Sequence, residues 1–540
     1  MQWYKCPETG KPMRKRTTIG FLIACAALSA LLLRRAVAAE AGLSTWQKIE
    51  GDYRQGLITA ADRSLYLLYA VFEYRSLPTA YRSAVPWSGT QVVRELEQSY
   101  SRMRTGRQRV TAAVRADFDR LLGPSATRSL CSASDGTATY DSPHFRLGYI
   151  PIDAGLTIQQ YADALETAWQ VEVTDYGWGQ PPLAAGNTFG RYPVQAASLG
   201  GGLYGFVSDI GGSFTGLVGD NPHTPAVETE ATASCMVLNS SYAGFPLDPL
   251  SSLRVTVAHE FAHAVQDGLG DPVGGDEDDM IYESMAVYAE DEVFDDINDN
   301  YQYLPPAYAS CLGQYAASDY SNWLFFRFAA EANGGANRAG GGEDVIQYFW
   351  QNVAAGVGAL TAMDNGLAAK GSSLAETYHR YAIASRFMRA CPDSSPYCFE
   401  EAAGYVGAAG LPSSHGNIPA AGGSYSGSIR NHYALNWISL PPSGSYDVSL
   451  ANNAGSGQLR ASVVAQTSGG LTITPFPGLV GPSVTRTVTA YRPPAGALLV
   501  VAVITNQEQT SANPSGCPAA GYTLSTGGAG YQLWLPVVFR

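Results

Sequence analysis

The sequence predicts an α+β protein of several parts, and three changes in pattern along its 540 residues support that class. Residues 41–123 repeat apolar side chains at helical spacing. From residue 142 onward, short strand patterns alternate with strongly helical runs. After residue 422, alternating segments rich in Gly, Ser, Thr and Val follow at short intervals, which is typical of a β-sandwich. The predicted parts are a leader at 1–38, a helical N-terminal region at 39–125, a central domain at 126–415 and a β-sandwich domain at 420–540.

Composition and charge exclude two broad classes of protein. The chain is 46% hydrophobic and contains 18 Phe and 32 Tyr, which argues against a disordered chain. Its net charge of −13 argues against general nucleic-acid binding, because that function needs a basic face. The acids are concentrated in residues 271–300, which hold twelve of them and no base. This acidic stretch points to a local function rather than to general solubility.

The leader has the features of an export signal. Three consecutive basic residues precede an apolar run over Ile19–Leu33, which is shorter than the ~20 residues that span a bilayer. Ala36-Val37-Ala38 then provides the small-x-small pattern of a signal-peptidase site. The sequence therefore predicts a secreted, extracellular protein. Arg34 and Arg35 leave open an uncleaved anchor at the cell surface, which would be its one membrane contact, and Cys25 leaves open a lipoprotein.

The cysteines fit an exported chain. Six of them follow the leader, and six cysteines allow 15 pairings that the sequence alone does not distinguish. We expect one local disulfide, Cys391–Cys398, across a loop rich in Pro and Ser. Buried free thiols are the alternative, because a chain of this length builds a core without disulfides.

The segment from His259 to His263 has the pattern HExxH and carries the clearest chemistry. It lies in the helical run Leu253–Leu269, where positions four apart share a face, so both imidazoles can bind one zinc ion. Glu260 stands where it can take the proton of a water beside the metal. Random placement in this composition predicts about 0.01 such motifs. A helix with two surface histidines is the alternative, but the neighbouring residues are apolar and would leave unpaired polar groups buried.

A catalytic zinc site needs three protein ligands and one open position, so a further ligand must lie outside the motif. The extended metzincin pattern would need Gly at position 266 and His at position 269. The chain has Gln266 and Leu269 there, which excludes that arrangement.

The two histidines together with Glu283 resemble the zinc site of the thermolysin-type gluzincins. Those enzymes take a glutamate from the next helix, and Glu283 stands 20 positions after His263 in the helical run Met280–Val293. Glu290, two turns further on the same face, is then expected to accept the free ring N–H of a ligand histidine. A solvated helix acid is an equally good interpretation of Glu290.

More narrowly, the chain resembles a group of poorly characterised secreted bacterial metalloproteases. The resemblance is strong over Ala258–Gln266 and Tyr282–Asp291, and it is looser at Gly56–Thr59 and Leu77–Tyr81. It covers roughly residues 45–390. It implies a zincin-like catalytic domain, a small sheet with active-site helices, and zinc-dependent hydrolysis of peptide bonds.

The resemblance to gluzincins implies two further assignments. Such enzymes hold the substrate backbone against an edge strand before the HExxH helix, and they need a donor for the oxyanion. Tyr320 resembles the tyrosine donor of aminopeptidase-like members, with Tyr301, Tyr303 and His379 as competitors. The strand in the expected place consists of Ser234, Cys235, Met236, Val237, Leu238 and Asn239.

The acidic segment Asp295–Asn300 is a candidate Ca²⁺ site, because hard cations favour clustered oxygen ligands. It lacks the spacing of an EF-hand loop, and a solvated acidic loop is the favoured interpretation. An acidic rim of this kind would favour basic peptides or a basic pro-segment, and the mildly basic 41–123 region is a candidate for the latter.

These observations predict a secreted zinc peptidase that acts on peptides or proteins. The alternative is a cell-surface binding or adhesion protein on a peptidase-like scaffold, with the β-sandwich as its docking domain. The sequence leaves open whether the enzyme is an endopeptidase or an aminopeptidase, and whether residues 39–125 are removed. The oligomeric state is also open.

Overall fold

A computed structural model shows helices and strands mixed along the chain, so the predicted α+β class is correct at that level. In the described part of the chain, none of the helices has both the length and the apolar character needed to cross a membrane. The predicted export segment at 1–38 lies outside the described residues. The structure describes residues 43–528, except for 106, 109, 123–137, 154, 210–213, 271–275, 309–310, 313–319, 335–340, 392–395 and 510–516.

The N-terminal region is helical, as its apolar spacing predicts. Ser44 and Thr59 cap the first two helices with capping boxes, in which the cap and the third helical residue satisfy each other's backbone N–H groups. The apolar faces of the helices enclose a common core that includes Leu67, Val93 and Phe118. The helices are α1 (Thr45–Arg54), α2 (Ala60–Phe72), α3 (Thr90–Arg104) and α4 (Ala112–Leu122), with 3₁₀ turns at Tyr74–Ser76 and Thr79–Tyr81.

The central part contains a mixed sheet in the order β1-β2-β3-β7-β4. Strands β2, β3 and β7 run parallel, whereas β1 and β4 are antiparallel to their neighbours and form the two edges. A separate two-stranded ribbon consists of β5 and β6. The strands are β1 (Ala138–Asp141), β2 (Phe145–Tyr149), β3 (Tyr192–Ala197), β4 (Gly205–Ser208), β5 (Gly216–Gly219), β6 (Ala231–Ala233) and β7 (Cys235–Asn239).

Two long helices follow the sheet, α6 (Pro249–Leu269) and α7 (Asp276–Val293). Asp248 caps α6 by accepting hydrogen bonds from two backbone N–H groups of its first turn, where Pro249 needs no partner. Nearly every residue after that turn is buried, because α6 lies between the sheet and α7. This explains why the middle of the helix, Val255–Val265, is mostly apolar apart from the HExxH motif.

The remaining helices of the central part pack with α6 and α7 around one large core. Helix α5 (Ile158–Ala168) begins with a capping box at Thr157 and continues as a π-helix over Trp169–Asp175. A 3₁₀ turn at Asp299–Tyr303 and another at Tyr320–Asn322 lead into helices. The later helices are α8 (Leu304–Ala307), α9 (Trp323–Ala332), α10 (Glu343–Ala354), α11 (Ala359–Ala369), α12 (Leu374–Phe387) and α13 (Ala402–Ala409).

The C-terminal part consists of strands, as predicted, arranged in two sheets of order β13-β12-β15-β10-β8 and β14-β11-β16-β9. One apolar core takes side chains from both sheets, for example Val463 from one and Val448 from the other. The strands are β8 (Gly416–Asn417), β9 (Ser424–Arg430), β10 (Ala434–Ser439), β11 (Tyr446–Asn452), β12 (Leu459–Thr467), β13 (Gly470–Pro475), β14 (Thr485–Tyr491), β15 (Leu499–Asn506) and β16 (Ala519–Gly528).

Disulfides link several parts of the chain. Cys391 and Cys398 form the predicted local bridge. A second bridge joins Cys311 to Cys517, 206 positions apart, and ties the central helices to the C-terminal strands. Cys235 is also disulfide-bonded. Buried free thiols are therefore the wrong interpretation for these five cysteines.

His379 connects helix α12 to the C-terminal strands and is buried. Its Nδ1 lies 3.0 Å from Oγ1 of Thr505, and its Nε2 lies 2.9 Å from Oγ of Ser462. Burial, assisted by the charge of Arg460, lowers the pKa of His379 to about 3. The neutral ring therefore joins the two parts through two hydroxyl groups.

Because the folded-state pKa of His379 lies below its ordinary value near 6.5, we expect the fold to lose stability as the pH falls through 6.5 toward 3. The loss from this residue is about 1.4 kcal/mol per pH unit in that window. The measurement is urea unfolding between pH 7 and pH 5 for the wild type and His379→Asn. The variant should be less stable at pH 7 but should depend less steeply on pH; equal slopes would show that His379 does not titrate on unfolding.

Candidate metal centre

Helix α6 places the two histidines of the HExxH motif on one face, one turn apart. Their ring nitrogens approach each other closely, with 3.1 Å between Nε2 of His259 and Nε2 of His263. Both side chains are buried, His259 at 4% exposure and His263 at 0%. The helical spacing therefore brings two nitrogen atoms to one point inside the protein, as the sequence predicts.

Helix α7 brings Glu283 to the same point. Its Oε2 lies 3.2 Å from Nε2 of His259 and 3.6 Å from Nε2 of His263. Glu283 is fully buried, and neither of its carboxylate oxygens has a hydrogen-bond partner of good geometry. Burial opposes ionisation of this carboxyl, but the adjacent imidazoles outweigh burial and lower the pKa of Glu283 to about 2. The site therefore contains a buried carboxylate that lies against two imidazole nitrogens but forms no hydrogen bond of good geometry with them.

The other nitrogen of each ring is held by a neighbouring side chain. Nδ1 of His259 lies 2.6 Å from Oε1 of Glu290, as predicted for Glu290. Nδ1 of His263 lies 2.7 Å from Oε1 of Gln266, whose amide nitrogen donates to the carbonyl oxygen of Tyr282. Because the amide nitrogen of Gln266 is used in that bond, its Oε1 faces His263 and can only accept. The proton of His263 must therefore be on Nδ1. The Nε2 lone pair of His263 then faces the centre.

The three converging atoms are suited to a metal ion. Tetrahedral zinc with bonds of about 2.0–2.1 Å places neighbouring ligand atoms about 3.3 Å apart, and the observed separations are 3.1, 3.2 and 3.6 Å. A proton between the histidines would satisfy two of the three atoms and leave Glu283 unpaired. A divalent cation would satisfy all three, and two imidazoles with one carboxylate form a known zinc ligand set.

Electrostatics at this point favour positive charge. Burial opposes charge on His259, but Glu283 and Glu290 together raise its pKa well above the ordinary value. Burial raises the pKa of Glu290 to about 7, although the contact with His259 acts to lower it. The carboxylates around His259 therefore favour positive charge at this point, which a bound cation would supply.

Glu260, the predicted general base, is fully buried beside the ligands. Its Oε2 accepts a hydrogen bond from the hydroxyl of Thr90, and its Oε1 has no hydrogen-bond partner. Burial raises the pKa of Glu260 to about 7, while His259 and the Thr90 hydroxyl oppose that rise. A carboxyl with a pKa near neutrality can both accept and return a proton, which is what acid–base catalysis at neutral pH needs.

Tyr320 lies beside the centre, with its ring stacked on that of His259 at 5.9 Å between centroids. Burial raises its pKa well above 10, so its hydroxyl keeps its proton and is able to donate. Tyr303 stacks on Tyr320 at 5.4 Å and also faces the site. Of the other two competitors, Tyr301 packs against Tyr405, and His379 bonds to the C-terminal strands. Tyr320 and Tyr303 therefore remain as candidate donors.

A cavity of about 650 Å³ adjoins the metal centre. Its walls include His259, Glu260, Tyr303 and Tyr320 from the central part. Other lining residues come from the N-terminal region: from α1, from the segment that precedes α3 and from the first turn of α3. The cavity is therefore lined in part by residues that the sequence places in a separate region.

The prediction that the substrate-binding strand lies at the edge of the sheet is wrong. Strand β7 exists, but it is an inner strand that pairs with β3 on one side and β4 on the other, so its backbone groups have no room for a substrate. Every side chain of β7 is buried. The free edge near α6 belongs to β4. The correction applies to Ser234, which precedes β7 and contacts Tyr192, and to Cys235, Met236, Val237, Leu238 and Asn239.

Sequence reasoning missed two residues of the site. Gln266 lies three positions after His263, a spacing that places it on the same helix face, so the periodicity offered a signal for its role. Thr90 lies 170 positions before Glu260, and no local pattern connects them.

The predicted calcium segment Asp295–Asn300 does not form a comparable cluster. Among the described residues, His259, His263 and Glu283 form the group of three or more His, Cys, Asp or Glu side chains whose ligand atoms converge within 4.8 Å. Asn300 instead donates to Asp291 at 2.6 Å. Calcium binding at this segment stays a prediction.

Comparison with known proteins adds little to this geometry. No protein-family model matches the sequence, and no curated protein sequence matches it. Among solved structures, PirA is 15% identical with a TM-score of 0.14, covering 19% of this chain and 92% of PirA. A family 22 carbohydrate-binding module of Clostridium thermocellum Xyn10B is 16% identical with a TM-score of 0.13, and the match covers 17% of this chain and 64% of the module. The pre-peptidase C-terminal domain of a Bacillus anthracis collagenase is 12% identical with a TM-score of 0.12, and the match covers 21% of this chain and 97% of that domain. TM-scores this low do not establish a shared fold.

Proposed function

We propose that this chain is a secreted zinc-dependent peptidase. The observation that carries the proposal is the convergence of His259, His263 and Glu283, three buried acceptors with separations suited to one tetrahedral ion. Glu260 stands next to them in sequence and in space, where a general base for hydrolysis belongs. Imidazole and carboxylate ligands suit zinc, and the identity of the metal is part of the proposal.

In this proposal, the side chains around the three ligands have separate roles. When bound, zinc supplies Lewis acidity toward water and toward a peptide carbonyl. Glu260 accepts a proton from the attacking water at a carboxylate oxygen and returns it to the leaving amine nitrogen as the C–N bond breaks. The hydroxyl of Tyr320 donates to the oxygen on which negative charge develops. Glu290 and Gln266 hold the two imidazoles in the ligating tautomer and orientation.

The domain assignment belongs to the same proposal. Residues 126–415 would form a zincin-like catalytic domain, and residues 420–540 a β-sandwich that docks the enzyme to a surface or substrate. Residues 1–38 would be an export signal. The disulfides of the described chain support export, because such bonds persist in oxidising compartments.

The test uses purified chain that begins after residue 38. We expect about one zinc per chain. In this chain or in the variants described below, we expect hydrolysis of a peptide library that stops when a chelator removes the metal and returns when zinc is added back. Mass spectrometry of the products reports endo- or aminopeptidase cleavage. A zinc-loaded protein that cleaves no peptide in any form, including the variants described below, would instead favour a binding protein on a peptidase-like scaffold.

A further inference from the structure

The free edge of the central sheet is covered by the chain's own N-terminal region. The backbone N–H of Trp87 donates to the carbonyl of Gly202 at 2.9 Å, and the N–H of Tyr204 donates to the carbonyl of Trp87 at 3.1 Å. The N–H of Gly89 donates to the carbonyl of Gly205 at 3.2 Å. Trp87 pairs with Leu203 as a parallel bridge. The backbone of Trp87–Gly89 therefore pairs with residues 202–205, at the beginning of β4, as a short added strand, and Thr90 begins α3 directly after it.

The same segment ends on the proposed general base. The hydroxyl of Thr90 donates to Oε2 of Glu260 and accepts a 3.1 Å hydrogen bond from the N–H of Val207 in β4. Thr90 is therefore held between the edge strand and the carboxylate that should face a water. In this arrangement Glu260 is fully buried and His259 is 4% exposed.

The fit between the segment and the edge strand is close. A Cβ atom at Gly89 would lie 2.7 Å from a methyl carbon of Leu203 and 3.2 Å from the carbonyl oxygen of Gly205, so a larger residue would force the segment or the Leu203 side chain to move. Trp87 is buried, and its indole N–H donates to the carbonyl of Gly201 at 3.0 Å. The segment is thus anchored by side chain and backbone together.

The helices around the segment strengthen this cover. The core of α2 and α3 continues into Phe206 and Val237 of the sheet. Arg94 of α3 donates to Asp279 of α7 at 2.7 Å and stacks over Tyr282, the residue before the proposed ligand Glu283. The N-terminal region therefore spans both the sheet edge and the helix that bears the third ligand.

We infer that the N-terminal region is an intramolecular inhibitor, in which Trp87–Gly89 occupies the place of an extended peptide at the edge of β4 and Thr90, the first residue of α3, holds Glu260. This inference rests on the proposed peptidase function. An extended substrate gains affinity by pairing its backbone with a free sheet edge, and here that edge is already paired. The enzyme is active only after the segment leaves β4, whether by displacement or by cleavage of the chain.

The test compares zinc-loaded full chains that differ in this segment. Gly89→Val should push the segment off the edge, and Trp87→Ala should weaken its anchor while leaving the backbone free to fold. Tyr69→Phe, which loses a hydrogen bond to Asp117 within the N-terminal helices, is the control. The measurements are kcat/KM on library peptides and the rate at which a chelator withdraws zinc, and circular dichroism checks the fold of each variant.

We expect both segment variants to raise kcat/KM at least tenfold and to speed zinc withdrawal, with Tyr69→Phe unchanged. Wild-type activity equal to that of both variants would overturn the inference and leave the peptidase function standing. Faster zinc withdrawal without hydrolysis in any chain would uphold the cover over the metal centre and overturn the peptidase function. Zinc withdrawal unchanged in both folded variants would overturn the inference whatever the activity.

Discussion

Replacing Glu260 by glutamine is expected to leave zinc bound and to reduce peptide hydrolysis by about 10²–10⁴-fold. The amide has nearly the same volume as the carboxyl and fits the same buried position, but it cannot accept a proton from water. Because Glu260 does not supply one of the three converging ligand atoms, the variant should keep its affinity for zinc. The measurement is kcat/KM together with zinc content, in whichever of the intact or Gly89→Val chains hydrolyses peptides.

Glu166→Gln is the matched control for this variant. Glu166 accepts from the backbone N–H of His144 and lies 2.6 Å from its Nδ1, so the substitution changes a carboxyl of the same domain outside the metal centre. It should leave kcat/KM within a factor of about two of the parent chain. Hydrolysis that persists in zinc-loaded Glu260→Gln would remove Glu260 as the base.

The residues of the metal centre could be placed from sequence because their spacing is local. His259 and His263 are four positions apart on a helix, and Glu290 is seven positions after Glu283, so each pair shares a helix face. The step from one helix to the next came from the resemblance to gluzincins. The structure then brings Glu283 to both histidines and Glu290 to the outer nitrogen of His259.

The covering segment could not be predicted in the same way, because its contacts are not local. Trp87 meets Gly201 across 114 positions, and Thr90 meets Glu260 across 170. The inner position of β7 in the sheet could not be predicted for the same reason. Its apolar pattern indicates a buried strand, but only the pairing with β3 and β4 decides whether such a strand is inner or at the edge.

Two of the disulfides differ in the same way, because one depends on local sequence and the other on long-range packing. Cys391 and Cys398 are close enough in sequence for a local loop to bring them together, whereas Cys311 and Cys517 meet only because the central helices and the C-terminal strands pack against each other. The α+β class needed no such contacts, because it follows from periodicity within each segment.

Replacing Glu283 by alanine is expected to lower zinc affinity by more than 10–100-fold, the range typical of losing a residue that only orients a ligand. The variant removes one of three protein ligand atoms and the buried negative charge that favours a cation at this point. Two imidazoles would remain, held by Glu290 and Gln266. Zinc should therefore still bind, weakly, and hydrolysis should be lost at zinc concentrations that saturate the wild type.

The informative comparison is between Glu283→Ala and Glu290→Gln, measured by competition with a chelator of known zinc affinity. Glu290 contacts the outer nitrogen of His259 rather than the converging one, so its isosteric substitution should cost 10–100-fold in affinity, less than the loss of Glu283. This order separates a ligand from a residue that holds one. Equal affinities in Glu283→Ala and the wild type would show that the carboxylate does not bind the metal, and the buried unpaired oxygens of Glu283 would then need another partner.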